Sequence, residues 1–81
     1  MSKEKLIGLL DYLARSLVNH PQSVQIGEEE TEDTLTLKLR VAEDDMGRII
    51  GKGGKTAKAI RSLIRAAGDR DGKKVVVDIV E

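Results

Sequence analysis

Apolar residues recur along this chain with two different periods. Leu6, Leu9, Leu10, Leu13 and Leu17 follow the three-and-four spacing of one helix face, and Ile7, Ala14 and Val18 widen the stripe. Ser2 suits the N-cap of that helix. Asn19-His20-Pro21 ends it, because the residue before a proline avoids the α region and proline has no N–H to donate. His20 then reads as a helix C-terminal residue favourable to the dipole. The period switches to two at Val24 and Ile26, and again at Leu35, Leu37, Leu39 and Val41, which predicts two half-buried strands. Between them Glu28, Glu29, Glu30, Glu32 and Asp33 read as a solvated hairpin connection that also discourages edge-to-edge association. A metal site is disfavoured there, since hard-cation loops place ordered Asp and Asn ligands around a glycine.

Asp44 or Asp45 suits the cap of a short helical turn, Met46 to Ile50. Gly51-Lys52-Gly53-Gly54 then turns the chain sharply into a second long helix, Lys55 to Ala67. On a helical wheel Ala57, Ile60, Ile64 and Ala67 form a core stripe, Ala59, Leu63 and Ala66 extend it on one flank, and Lys58, Arg61 and Arg65 cluster on the other. That apolar arc is wider than burial against one sheet requires. Small residues around one larger aliphatic permit close helix approach, so Ala59, Leu63 and Ala66 are a candidate self-association surface. Gly68 is expected to end the helix as a left-handed cap, Asp69 to Gly72 to form a polar turn, and Val75, Val76, Val77, Ile79 and Val80 to form a last strand. The order α-β-β-α-α-β, without linkers or repeats, predicts one α+β domain over residues 1–81, with a three-stranded sheet and three helices on one face.

Composition changes this picture in three ways. Aromatic residues are nearly absent, with Tyr12 alone, so the core must be aliphatic. The absence of cysteine removes disulfides and thiolate zinc sites as supports for the fold. With no signal peptide and no apolar run approaching the ~20 residues of a membrane span, a cytoplasmic location is expected. Net charge is zero, but its distribution is uneven: Glu28, Glu29, Glu30, Glu32 and Asp33 crowd one segment and Glu43, Asp44 and Asp45 another, whereas Arg48, Lys52, Lys55, Lys58, Arg61 and Arg65 fall together between Gly47 and Gly68.

A glycine turn flanked by cations suggests an anion, most simply a nucleic-acid phosphate. Spacing removes two other phosphate motifs. A P-loop ending at Gly54-Lys55-Thr56 would need glycine at Ile49, and a dinucleotide loop starting at Gly51 would need glycine at Thr56. The pattern that fits is I-I-G-x-x-G followed by a helix. Together with the element order it resembles the type II, bacterial KH domain, and IIGKGGKTAKAIRSLI is similar to the small single-domain KhpA (YlqC-like) family of RNA-binding proteins.

This resemblance implies a G-x-x-G loop, Gly51 to Gly54, that clamps the backbone of single-stranded RNA while bases lie in a shallow apolar groove. The RNA-binding residues would be Arg48, Ile49, Gly51, Lys52, Gly53, Gly54, Lys55 and Lys58, with Gly53 adding flexibility. Met46, Ile49, Ile50, Leu39 and Val41 are the candidates for the groove lining, with Ile50 favoured as core. The family resemblance further implies a homodimer, a possible heterodimer with a larger KH-containing partner of the KhpB/Jag type, and an RNA chaperone or regulator role tied to cell shape and cell division. It implies no cofactor and no metal. An enzyme fits poorly, since His20 sits beside Pro21 and the carboxylates crowd turns rather than apolar pocket positions. The alternative is a KH-fold interaction module that dimerises and binds partner proteins with weak or no RNA affinity.

Overall fold

The Ser2 hydroxyl accepts a hydrogen bond from the Lys5 N–H at 3.2 Å and so caps the first helix, α1 (Lys3–Leu17). The computed structural model describes residues 2–68 and 73–80. Leu6, Leu10 and Ala14 form the buried line of α1, Leu9 and Leu13 pack partly against the core, and Leu17 is exposed. A 3-10 turn at Pro21–Ser23 leads into the strand β1 (Gln25–Glu30), which pairs antiparallel with β2 (Thr34–Arg40). A second 3-10 turn, Glu43–Asp45, enters the short helix α2 (Met46–Ile50). A third, Lys52–Gly54, runs directly into α3 (Lys55–Gly68), and β3 (Lys74–Ile79) closes the sheet parallel to β2. The strand order is β1-β2-β3.

Alternation decides which sheet face is covered. Leu35, Leu37 and Leu39 of β2 and Val75 and Val77 of β3 are buried, while Thr34, Thr36, Lys38 and Asp78 occupy the other, polar face. The helices therefore lie on one side, α3 against β3 and α1. Ile60 and Ile64 of α3 and Ile49 of α2 complete the aliphatic core. Each fully buried Leu or Ile contributes roughly 1.5–3 kcal/mol of transfer free energy.

Two expectations change. The acidic segment is largely strand rather than connection: Glu28, Glu29 and Glu30 pair with Leu37, Thr36 and Leu35, leaving only residues 31–33 to turn. Cross-strand backbone pairing outweighs the poor strand propensity of glutamate, and Lys3, Lys38 and Lys73 lie in ion pairs with these carboxylates. The charges thus sit on an edge strand, where they oppose pairing with another sheet.

Gly68 is the second. It is not a left-handed cap; its φ is not positive and it is the last residue of α3. A Cβ there would lie 2.5 Å from Val75 Cγ2 and 3.3 Å from Leu6 Cδ1, so glycine is required for the close approach of α3 to β3 and α1. The polar turn expected at residues 69–72 lies outside the described residues.

Candidate nucleic-acid interface

The junction of α2 and α3 is made by three glycines with positive φ: Gly51 at 77°, Gly53 at 66° and Gly54 at 78°. The N–H of Gly51 donates to Gly47 O at 2.9 Å, and that of Gly54 to Gly51 O at 3.1 Å, which winds the chain into a tight turn. The glycines are needed for different reasons. A Cβ at Gly51 would meet Thr56 Cβ at 2.6 Å and its backbone N at 2.8 Å, so this position is closed by packing as well as by φ. At Gly53 and Gly54 a Cβ would meet nothing within 4 Å, so the outer surface of the turn faces open space. Gly53 adopts a left-handed conformation (φ 66°, ψ 18°).

Lys52, Lys55 and Lys58 are exposed beside this turn, and among the described residues none of them lies in an ion pair with a carboxylate. Arg48 is placed differently. Its Nε lies 3.8 Å from Asp45 Oδ1, and the Asn19 amide, with its oxygen turned toward the guanidinium, accepts from Nε and Nη2 at 3.3 and 3.0 Å. Arg48 thus faces the exit of α1, with its side chain still largely exposed.

Next to the turn runs a groove of about 280 Å³ lined by Met46, Ile50, Gly54, Ala57, Arg61 and Ile79. A second depression, lined by Val41, Glu43 and Val80, shares Met46 with it. Of the groove candidates, Met46 and Ile50 line the groove and Val41 the second depression, whereas Ile49 and Leu39 have no exposed surface and lie in the core. Ile49 therefore lies behind the wall with no surface of its own, and Ile50, favoured as core, is only half-buried and forms part of the wall. Helical geometry explains the exchange. Adjacent residues point about 100° apart, so only one of the pair can face the sheet.

Two residues of this region were not singled out by spacing. Arg61, one of several cations on its helix face, donates from Nε to Val77 O on the outer strand at 3.2 Å and so forms a groove wall. Its position four residues after the buried Ala57 was the available signal.

Asp45 is the other. It makes no cap bond to α2; its fully buried carboxylate accepts from Asn19 N at 3.0 Å, His20 N at 2.9 Å and His20 Nδ1 at 3.0 Å. Burial pushes this carboxyl up, but the hydrogen bonds from Asn19 and His20 and the charge of the imidazole outweigh it and hold it below the ordinary aspartate range. His20, beyond the last turn of α1, consequently serves this contact instead of the helix end. The cluster ties the exit of α1 to the entry of α2, the helix that carries the glycine turn.

The α-β-β-α-α-β order, the mixed sheet and the glycine turn joining two helices define a type II KH domain. The family model of the KhpA/KhpB KH domain matches residues 8–79, and the chain belongs to that family. It is 49% identical over 69 residues to the RNA-binding protein KhpA of Listeria monocytogenes, which spans 85% of this chain and 91% of that protein. The RNA-binding protein KhpA of Clostridium acetobutylicum is 49% identical over 72 residues, 89% of this chain and 96% of the relative. The protein of the same name from Bacillus subtilis is 40% identical over 81 residues, the full length of both. Among solved structures, a variant of Aquifex aeolicus Era bound to GDP.AlF4- superposes with a TM-score of 0.64 at 18% identity. That match covers 99% of this chain but 33% of the other, and it concerns the fold alone. Among the described residues no helix is long and apolar enough to cross a membrane.

Proposed function

We propose that this chain is a non-catalytic, cytoplasmic single-stranded RNA-binding protein whose turn at Gly51–Gly54 clamps the RNA backbone while bases enter the adjoining groove. The observation that carries this reading is the open outer face of the turn beside Lys52, Lys55 and Lys58. Without Cβ atoms at Gly53 and Gly54, a sugar-phosphate chain approaches the peptide groups directly, and the lysines supply charge. The relatives named as RNA-binding proteins support it. The apolar walls Met46, Ile50 and Ile79 suit unstacked bases, which a duplex does not offer. Fluorescence anisotropy with a labelled RNA octamer should give binding that exceeds that of the matching duplex. The slope of log affinity against log salt should be about −2, from three phosphate contacts at about 0.7 each. Absence of binding to an RNA pool at about 50 mM salt would instead favour the protein-interaction module.

The same chain is proposed to act as a homodimer through Ala59, Leu63 and Ala66, and the flank is also the surface offered to a larger KH-containing partner of the KhpB/Jag type. All three residues are exposed, and Leu63 retains 48% of its surface. In a two-fold dimer burial of Leu63 counts twice, at roughly 2 kcal/mol each. Leu63→Glu should then raise the dimer dissociation constant about a thousandfold and shift sedimentation from dimer to monomer. A parent chain that sediments as a monomer removes this interface.

A further inference from the structure

We infer that Arg61 selects the base held in the groove, favouring a base that presents two adjacent hydrogen-bond acceptors on one edge, cytosine or guanine, over adenine and uracil. The inference rests on the RNA-binding reading above and adds a specificity determinant to it. Arg61 of α3 lines the groove together with the apolar side chains of Met46, Ile50 and Ile79. Its Nε is held by Val77 O at 3.2 Å, the one hydrogen bond the guanidinium makes among the described residues. That bond anchors the group to the outer strand at Nε and leaves the Nη1 and Nη2 N–H groups, a fork of parallel donors, without a protein acceptor among the described residues.

A fork of two donors requires two acceptors side by side. Cytosine offers them as N3 and O2 on its Watson–Crick edge, and guanine as O6 and N7 on its Hoogsteen edge. Uracil separates its two carbonyls by an N–H donor, and adenine places an amino donor beside N1 and N7. In either case one N–H of the fork would face another donor, and that mismatch costs affinity relative to cytosine or guanine.

The test compares RNA octamers of all U, all C, all A and alternating U and G, measured by anisotropy at one salt concentration. Parent protein should bind the C or the UG octamer about 5- to 100-fold more tightly than the U and A octamers. Which of the two responds identifies the edge that is read, and replacing guanine by 7-deazaguanine, which lacks N7, should abolish a guanine preference. Arg61→Met, which keeps the aliphatic stem, should bring all four octamers to within about twofold of one another. Arg61→Lys keeps the charge but not the fork and should do the same, while retaining the parent's salt dependence. Equal loss on all four octamers with Arg61→Met, restored by Arg61→Lys, would make Arg61 a phosphate contact and overturn the inference. Equal binding of all four by the parent, still abolished by aspartates in the turn, would overturn it while leaving the RNA clamp standing. Failure of the parent to bind any octamer would remove both.

Discussion

Replacing Lys52 and Gly53 together by aspartate is expected to weaken binding of single-stranded RNA by on the order of 30- to 100-fold at low salt without unfolding the protein. Loss of one phosphate contact by itself lowers affinity by about one decade at low ionic strength, and two carboxylates facing the RNA backbone add repulsion. The fold should survive for local reasons. Lys52 is exposed, and Gly53 sits at φ 66°, ψ 18°, the left-handed region in which aspartate is among the better tolerated residues. A side chain there projects into open space. Gly51 offers no such freedom, because Thr56 fills the position its Cβ would need. Anisotropy titration beside circular dichroism decides the matter: unchanged affinity in a folded double variant would remove the turn from the binding site.

Asp45→Ala is expected to lower the melting temperature by on the order of 10 °C, one of the larger effects available in so small a domain. The substitution strips an acceptor from the N–H groups of Asn19 and His20 and from the His20 ring, and it leaves Arg48 without its nearby carboxylate. Asp45→Asn is nearly isosteric and separates charge from shape. The folded-state pKa of Asp45 lies below its unfolded value, so its contribution is complete above about pH 4 and is lost as pH falls through the lower, folded value. Thermal melts from pH 7 down to pH 2.5 should therefore show the parent losing more stability below pH 4 than Asp45→Asn does. Parallel curves would mean that the carboxylate is not held by these donors.

Asp45 and the glycine turn mark opposite ends of what could be read from the residues. The turn announces itself, because three glycines in four residues, an Ile-Ile step before and a helical pattern after have few structural readings. Asp45 does not. It stands in the run Glu43-Asp44-Asp45, and nothing local separates the one carboxylate that becomes buried from its two exposed neighbours. Its partners, Asn19 and His20, are 26 and 25 residues away, and only the packing of α1 beside α2 brings them together.

The same division runs through the molecule. Periodicity was sufficient for the order of elements, for the core lines Leu6-Leu10-Ala14 and Ala57-Ile60-Ile64, and for the family resemblance, because helix and strand repeats depend on neighbours a few residues away. Tertiary structure alone decided that Gly68 is demanded by Val75 and Leu6, and that the acidic run becomes an edge strand once β2 pairs with it. It also decided that of Ile49 and Ile50 the first is buried in the core and the second forms part of the groove wall, and that Arg61 is drawn to the edge of β3 by Val77. Those outcomes depend on which surfaces meet, and residues with the same local pattern are told apart only by what is packed across from them.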